Sequence, residues 1–536
     1  MVTVQAAIEV RAIGHRARFR GATLRDVSLT VRHGELVAIV GDSGSGKTTL
    51  LDAMSGLRAP SSGTVRRERR QVGYVPDADT LQAVLPLARA LRYTADVRGI
   101  RLDAGAIEDA LRVAGLAAGA ATPVGDLGPG ERRRAAIAAE LLAHPSFLFL
   151  EEPTAALDPA QGAEVMRLLR SRCEEGTTVV FTTNSPLDAA RSDKVAVLAT
   201  GGHLAFFGTP EAACGYFGAD SFDEICERLA GLGDPATAWS RRFFHFSQAT
   251  AGVLVSPTVP PQAGPANLVA DSAGPHSAGR PELTLVTDGR AADELAPPRL
   301  PRAPGDALGL PRPAFRPIGQ LRTLLARNAD ILRRDRRART LLAAAPLAVL
   351  LALAVLLPAG ALGPAHASEA CMAWTVLGSF AVGLAYGLPQ VSGEAGVLRS
   401  ERFAGLHATS YVLAKLAVLV PVLAAGDALI LLVPALSARL PAGGYGSAFL
   451  TLLLSSAAAL ALALLLSAAT SRTARVAAPA PALAIPLLLL AAALLAIRVT
   501  RLRPAWADWL ILAALAAALL VATTTLIARG TPATRF

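Results

Sequence analysis

The residues best placed to do chemistry lie in a glycine-rich stretch, GDSGSGKTT, at positions 41–49. It fits the pattern G-x-x-x-x-G-K-[S/T] and follows an apolar run at 36–40 that is typical of a buried strand. The glycines let backbone N–H groups turn toward phosphate oxygens, and the start of the next helix adds positive charge. Lys47 would contact the β- and γ-phosphates and Thr48 would bind Mg²⁺. We therefore predict an ATP and Mg²⁺ site formed by Gly41, Asp42, Ser43, Gly44, Ser45, Gly46, Lys47, Thr48 and Thr49.

A second set of chemically useful residues ends the apolar run FLFLEE at 147–152. Glu151 stands where a carboxylate would hold Mg²⁺ through a water molecule, and Glu152 stands where one would polarise an attacking water. The stretch PTAALD follows, with Asp158 in a turn of the kind that joins two nucleotide sites. We predict Glu152 as a catalytic residue and Glu151 as a metal-binding one.

These residues need a scaffold that brings strand ends together, and the first 210 residues have the pattern for one. Short β-branched runs alternate with helical stretches, as in an α/β domain. Unbroken apolar runs are typical of buried strands that are covered by helices on both faces. We predict a domain over 1–245 with a small helical tail from 211 and with strands at 36–40, 71–75, 147–150, 178–183 and 194–199.

The second half of the chain has the composition of a membrane domain. Long Leu, Ala and Val runs with almost no charge fill residues 341–527, and each is near the ~20 residues that cross a bilayer as a helix. A flexible linker rich in Pro, Gly and Ala at 246–317 and an amphipathic connecting helix at 318–340 would precede them. We predict an all-α six-helix transmembrane domain over 341–536, with spans at 341–358, 370–388, 412–436, 447–469, 476–497 and 506–527.

Charges in the short loops indicate that both ends of the membrane domain lie in the cytoplasm. Arg498, Arg501 and Arg503 disagree with this topology, so a re-entrant or interfacial segment is an alternative near them. Asp427 lies inside the third predicted span, where a buried acid is either functional or a hydrogen-bonding partner between helices. Both interpretations of Asp427 stay open.

The overall charge has a simple explanation in membrane binding. The chain has 52 Lys and Arg against 42 Asp and Glu, a net charge of +10. The densest basic cluster, RRDRRAR at 333–339, directly precedes the first span, which suits contact with anionic membrane lipids and not with nucleic acid.

The four cysteines form no CxxC pair, and the N-terminus lacks the pattern of a cleaved signal. We predict a multi-pass protein of the cytoplasmic membrane whose first domain is cytoplasmic.

Together these motifs resemble those of the ABC transporters. A phosphate-binding loop, a Leu-Gly-x-Gly turn at 127–130 and an acidic strand end occur in that order. A nucleotide domain ahead of six spans resembles the white-like G subfamily of half-transporters, as do VGYVPDAD at 72–79 and EAGVLRSERFAGLHATSYVLAK at 394–415. The resemblance implies an α/β P-loop ATPase domain that pairs with itself or with a related half-transporter. Two subunits would then enclose two ATP molecules, each also held by the opposite subunit's signature turn.

The signature turn departs from the LSGGQ pattern of that family. It reads Leu127, Gly128, Pro129, Gly130 and Glu131. Gly128 lacks the hydroxyl that would bond the γ-phosphate, and Pro129 lacks a backbone N–H at the start of a helix. Glu131 adds a negative charge beside the turn.

Three more positions depart from the pattern around the nucleotide. Asp77 replaces the glutamine of the Q-loop, Glu151 replaces the aspartate that ends the acidic strand, and Asn184 replaces the switch histidine. The resemblance implies that Asp77 and Glu151 contact the nucleotide and that Asn184 is a second catalytic residue. Asp77 and Glu151 can approach a metal ion, and Asn184 can donate a hydrogen bond but carries no cationic charge. ATP binding is predicted to survive, because Lys47 and the glycine-rich loop are intact, whereas hydrolysis is predicted to be impaired.

Two functions stay open at this point. The first is an ATP-binding half-transporter that dimerises and exports a substrate, with weak hydrolysis. The second is a regulatory or partner subunit of a heterodimeric ABC transporter. The substrate is not specified by the sequence, although spans with few aromatic or charged residues suit a lipid-like or amphipathic one.

Overall fold

In a computed structural model, the N-terminal domain is built on a nine-stranded sheet with the strand order β4-β1-β2-β9-β8-β3-β7-β6-β5. The structure describes residues 6–17, 21–68, 70–222, the single positions 224, 225, 228, 239, 242 and 243, and residues 317–356, 367–436, 444–470 and 505–529. The strands are β1 (Ala6–Ala17), β2 (Gly21–Arg32), β3 (Leu36–Val40), β4 (Ser62–Arg67), β5 (Val72–Val75), β6 (Phe147–Glu151), β7 (Thr178–Thr183), β8 (Lys194–Ala199) and β9 (His203–Gly208).

The centre of the sheet is parallel and buried. Strand β3 lies between β7 and β8, and β6 lies between β5 and β7, with all these pairs parallel. Every residue of β3, β6 and β7 is buried, as expected for strands covered on both faces. The predicted α/β class is confirmed, and parallel pairing brings the carboxyl ends of β3, β6 and β7 to one edge.

Helices cover this sheet and also form a separate helical subdomain with its own apolar core. The subdomain contains α2, α3 and α4, and Leu127 belongs to its core. The helices of the domain are α1 (Lys47–Ser55), α2 (Leu87–Arg98), α3 (Ala106–Val113), α4 (Pro129–Leu141), α5 (Pro159–Glu174), α6 (Pro186–Ala190) and α7 (Pro210–Phe217).

The described residues after 316 are mainly helical. They form α8 (Pro317–Arg334), α9 (Arg336–Leu356), α10 (Ala367–Gly387), α11 (Pro389–Ser392), α12 (Ala395–Phe403), α13 (Ala408–Ile430), α14 (Leu432–Leu436), α15 (Gly444–Thr470) and α16 (Ala505–Arg529). Within the described ranges, five helices are long and apolar enough to span a membrane. The predicted span 476–497, the region of Arg498–Arg503 and nearly all of the predicted linker 246–317 lie outside the described residues.

The predicted single connecting helix over 318–340 is wrong in its C-terminal part. Helix α8 ends at Arg334, and a new helix begins at Arg336 and continues into the first span. Asp335 separates them because its carboxylate accepts hydrogen bonds from the N–H groups of Arg337, at 2.9 Å, and Ala338, at 3.1 Å. This is N-terminal capping by an acidic side chain, and it starts the spanning helix inside the basic cluster.

Asp427 joins three spanning helices. Its carboxylate is fully buried in α13 and lies 2.5 Å from the Ser379 hydroxyl of α10 and 2.7 Å from the Ser456 hydroxyl of α15. The contacts agree with the interpretation of Asp427 as a hydrogen-bonding partner between helices.

Candidate nucleotide site

The glycine-rich loop connects β3 to α1 at the carboxyl edge of the parallel strands. Gly41 and Gly46 have φ angles of 150° and 102°. A Cβ atom at Gly41 would lie 2.3 Å from the carbonyl oxygen of Leu198, and one at Gly46 would lie 2.4 Å from that of Thr23. Only glycine fits at these two positions, because neighbouring backbone fills the space that a side chain would take. The two glycines therefore fix the path of the loop between β3 and α1.

Lys47 lies across this loop. Its ammonium group donates to the carbonyl oxygens of Gly41 at 2.5 Å and Asp42 at 3.1 Å, and the residue is only 7% exposed. A desolvated ammonium group at the start of a helix is a strong site for phosphate. The donor set thus fits a triphosphate. Among the described residues, no cluster of three or more His, Cys, Asp or Glu could hold a metal unaided, so Mg²⁺ would take most of its ligands from phosphate and water.

The two predicted catalytic residues contact each other. The side-chain amide of Asn184 donates to Glu152 Oε1 at 2.8 Å. Glu152 follows β6 with a positive φ of 41°, and its N–H donates to the Thr182 hydroxyl at 3.0 Å. The bond from the Glu152 N–H to Thr182 helps hold this strained backbone conformation, and the Asn184 amide holds the carboxylate. A carboxylate positioned in this way can accept a proton from water.

Glu151 takes part in a buried acidic cluster instead of contacting the phosphate loop. The Tyr74 hydroxyl lies 2.7 Å from Glu151 Oε1 and 3.0 Å from Asp52 Oδ1, and Glu151 Oε2 accepts from the N–H of Asp77 at 3.1 Å. Burial raises the pKa of Asp52, despite the attraction of Arg399 and Arg58. Among the described hydrogen bonds, none joins Glu151 to Thr48, the predicted second Mg²⁺ contact. The extra methylene of glutamate lets this carboxylate reach Tyr74 and Asp77 together.

An arginine from the membrane half approaches the same cluster. Arg399 lies on α12, between the second and third spanning helices, and its Nη2 is 3.8 Å from both Asp52 Oδ1 and Glu151 Oε1. Both halves of the chain belong to one compact unit. The pKa of Asp52 is therefore lowered in part by a residue of the membrane domain, against the larger effect of burial.

Arg133 ties the helix that follows the signature turn to the nucleotide loops. It donates to the carbonyl oxygens of Pro76 at 2.7 Å and Glu152 at 3.1 Å, and its Nη2 lies 3.3 Å from Asp77 Oδ1. Burial lowers the pKa of Arg133, and Asp77 opposes that shift. Asp77 is thus near Glu151 and Glu152 in the fold, as its predicted role requires.

The signature turn caps helix α4 with its own acid. Pro129 is the first residue of α4, and the N–H of Gly128 donates to Glu131 Oε2 at 2.8 Å. A carboxylate at this helix start therefore already occupies a donor that an incoming phosphate would use. At α5 the bond runs the other way, because Asp158 is itself the N-cap residue and accepts from the Gln161 N–H at 2.8 Å.

Sequence reasoning missed Tyr74, Asp52, Arg133 and Arg399. Tyr74 lies in the stretch VGYVPDAD at 72–79, but nothing in that stretch assigns a role to its hydroxyl, and Asp52 carries no motif signal because an aspartate in a helix is common. Arg133 stands in the run ERRR directly after the turn, and Arg399 in the stretch 394–415, so a search for basic residues beside the motifs would have included both.

Comparisons with known proteins agree with this geometry. The family described as ABC transporter matches residues 24–155, and the family described as ABC-2 type transporter matches residues 319–523. The hemin import ATP-binding protein HmuV of Rhodococcus jostii is 37% identical over 213 residues, which cover 36% of this chain and 73% of that protein.

Two larger relatives match through the same domain. The ABC transporter ATP-binding/permease protein Rv1747 of Mycobacterium tuberculosis is 35% identical over 236 residues, covering 40% of this chain and 27% of that protein. The ATP-binding cassette sub-family G member 5 of Mus musculus is 36% identical over 218 residues, covering 36% of this chain and 33% of that protein. The matched segments thus span about a third or less of these two relatives. The chain belongs to the ABC transporter family, with an ATP-binding domain ahead of an ABC-2 type membrane domain in the order of the white-like G-subfamily half-transporters.

Proposed function

We propose that the chain is one half of a dimeric ABC exporter that binds ATP and hydrolyses it slowly. The observation that carries the proposal is an intact phosphate loop, with Lys47 buried in it, in the same compact unit as the spanning helices. A half-transporter of this kind needs a partner, because a membrane pathway would form between subunits. The partner is a second copy or a related half-transporter.

Slow hydrolysis follows from the four departures at the site. Asn184 orients Glu152 but carries no charge to stabilise the phosphate in the transition state. Pro129 and the carboxylate of Glu131 leave the signature turn with fewer free donors. Each lost charge-assisted bond is worth about 1.5–3 kcal/mol, which corresponds to roughly 10- to 100-fold in rate if it is made only in the transition state.

A second candidate function is favoured by the signature turn itself. In a heterodimer, one site would combine this chain's phosphate loop and Glu152 with a partner's LSGGQ turn, whereas the other would depend on Leu127–Glu131. The chain would then act as a regulatory or partner subunit. For either function, we propose a lipid-like or amphipathic substrate, because the five described spans present almost no charge.

Lys47→Ala is expected to weaken ATP binding by about 10- to 150-fold, since a charge-assisted bond to phosphate of about 1.5–3 kcal/mol is lost. Titration of the full chain in lipid nanodiscs with a fluorescent ATP analogue measures this. Lys194→Ala is the matched control because Lys194 pairs with Glu35, at 2.9 Å, away from the loop. Equal affinity of the Lys47 variant and the parent chain would show that the loop does not hold the triphosphate.

Gly128→Ser with Pro129→Gly is expected to raise ATP turnover by roughly 10- to 100-fold, because the turn regains a hydroxyl and an N–H for phosphate. The serine fits, since φ and ψ at Gly128 are −63° and 161° and a Cβ there meets only Glu131 Oε2, at 3.5 Å. Steady-state phosphate release in nanodiscs at saturating ATP is the measurement. Gly215→Ser, at a position with open space, is the control. An unchanged rate in the double variant would mean that the signature turn does not limit hydrolysis.

Turnover by the chain alone separates the two functions. Activity well above that of Lys47→Ala supports a homodimeric exporter, and ATP-dependent translocation of a fluorescent phospholipid in proteoliposomes then tests export. The other outcome is ATP binding without turnover by the chain alone, with activity once a related half-transporter with an LSGGQ turn is added. That outcome supports the function of a partner subunit.

A further inference from the structure

A cavity of about 700 Å³ lies beside the signature helix, away from the phosphate loop. It is enclosed by residues 79–84 of the nucleotide domain, the connecting helix α8, the start of α9 and the cytoplasmic ends of α10 and α13. Its walls are mostly apolar, with Leu81, Ile331, Leu342, Pro389, Val418 and Leu419 among the lining residues. This volume and lining are typical of sites for ligands of drug or lipid size.

One wall residue points to a ligand. Asn328 lines the cavity and is only 6% exposed, yet among the described residues neither its amide nitrogen nor its amide oxygen has a hydrogen-bond partner. Gln82 also lines the cavity, and its buried Nε2 has no hydrogen-bond partner among the described residues. A buried polar atom without a hydrogen-bond partner destabilises the fold, so a ligand that both donates and accepts would be favoured here.

Each of the three acids that line the cavity has a partner, and for Asp79 it is Arg132, whose Nε lies 3.8 Å from Asp79 Oδ1. Glu394 accepts from Lys415 at 2.7 Å and from the Tyr411 hydroxyl at 2.8 Å. Burial alone would raise the pKa of Glu394, but Lys415 and Arg327 lower it overall. Asp335 is occupied in capping α9. The guanidinium of Arg337 is exposed at the rim and has no ion-pair partner among the described residues, so an anionic group meets a free positive charge there.

The rim also reaches the lipid-facing surface. Leu341 lines the cavity and is 40% exposed, and it belongs to the first spanning helix one turn beyond Arg337. A ligand in the cavity can therefore keep an apolar chain in the bilayer while its polar end passes Arg337. A soluble metabolite would use neither the apolar walls nor this lateral opening.

We propose that this cavity binds a glycerophospholipid of the cytoplasmic leaflet, with the phosphate beside Arg337, the ester or hydroxyl groups against Asn328 and an acyl chain along the apolar walls. Binding requires only the folded chain, so it is independent of export and of ATP hydrolysis. It makes the cavity a lipid site within one subunit, separate from any pathway between two subunits.

The test uses the full chain in phosphatidylcholine nanodiscs without nucleotide, and a phosphatidylethanolamine probe with a photoreactive acyl chain. Peptide mass spectrometry is expected to find the label on segments 79–84, 328–342 and 389–419. Asn328→Leu, which loses bonds worth about 1–1.5 kcal/mol, and Val418→Trp, which fills the space, should each lower this labelling by about fivefold or more. Ala326→Leu, at an exposed position of the same helix, should leave it unchanged.

Contrary results are equally clear. Labelling confined to the outward surface of spans such as α16, and equal in all variants, would overturn the site. Two outcomes would overturn the assignment of a phosphate-bearing lipid. One is equal labelling of these segments by a photoreactive diacylglycerol and by the phospholipid probe. The other is an Arg337→Gln variant with undiminished labelling. Monodisperse elution of each variant shows that it has folded. Because Asn328→Leu lies on α8 and Val418→Trp on α13, one of them can still test the site if the other does not fold.

Discussion

Replacing Glu152 by glutamine is expected to lower the rate of ATP hydrolysis by about 100- to 10,000-fold, the usual range for loss of a positioned general base. Glutamine keeps the size of the side chain and an oxygen that can accept a hydrogen bond from Asn184. In the parent chain, the Asn184 amide nitrogen lies 2.8 Å from Glu152 Oε1. Glutamine cannot take a proton from water at pH 7. ATP affinity should therefore stay unchanged, since Lys47 and the glycine-rich loop are untouched.

The measurement is single-turnover hydrolysis in nanodiscs, made in the Gly128→Ser and Pro129→Gly background so that a large loss can be resolved. Glu164→Gln is a matched control because this carboxylate pairs with Arg134 and is half exposed. A glutamine variant that hydrolyses ATP as fast as its parent would remove Glu152 from the mechanism and direct attention to Asp77, which lies close to the same loop.

The backbone at Glu152 favours this test. Its φ of 41° is unusual for a residue other than glycine, and such conformations typically cost about 1–3 kcal/mol. The bond from its N–H to Thr182 helps to stabilise it and does not involve the side chain. Glutamine should keep the same conformation, so an altered rate would report on proton transfer and not on a rebuilt loop.

The parts of the fold that sequence reasoning predicted are those with a strong local signal. The buried parallel strands are unbroken apolar runs, and the phosphate loop is a fixed pattern of glycines followed by Lys47. Strands β1, β2, β4 and β9 were not predicted. Strands β1 and β2 mix exposed and buried residues, β4 is mostly exposed, and β9 has only three fully buried residues. The break at Asp335 was missed because one capping residue interrupts an otherwise helical pattern.

Candidate site residues could be named from the sequence, but the contacts between them could not. Glu152 and Asn184 were both named, yet their hydrogen bond depends on the pairing of β6 with β7. The turn of Glu151 toward Tyr74, and the approach of Arg399 from the membrane half, join residues that are distant in sequence. Such contacts follow from the packing of whole elements, and no local pattern specifies them.

Removing the carboxylate of Glu140 is expected to destabilise the chain by about 3–5 kcal/mol, because Arg98 is left charged and buried without a counter-ion. Arg98 at the end of α2 donates to both carboxylate oxygens of Glu140 on α4, at 2.6 and 2.8 Å. The two side chains are only 7% and 5% exposed. Burial alone would lower the pKa of Arg98, but Glu140 raises it overall, so Arg98 stays charged at any physiological pH.

Thermal unfolding of the full chain in detergent checks this expectation. At 2–4 °C per kcal/mol for a domain of this size, Glu140→Leu should lower the melting temperature by roughly 6–20 °C. Arg98→Met with Glu140→Leu should recover most of the loss, because no buried charge remains. Asp109→Ala, which breaks an exposed pair with Arg112, should change little. A double variant as unstable as the single one would locate the stabilisation elsewhere.

The Arg98 guanidinium also contacts the membrane half. A variant that removes only this contact shows how much of the stability depends on it. Arg98 Nη2 donates to the Ser400 hydroxyl of α12 at 2.9 Å. Ser400→Ala removes this neutral acceptor and leaves the bidentate pair intact, so its effect on stability should be only about 1 kcal/mol. If Ser400→Ala instead matched Glu140→Leu, the stabilising unit would be the three-residue contact between α2, α4 and α12. A small effect assigns the stability to the ion pair, which holds the helical subdomain together whether or not α12 is engaged.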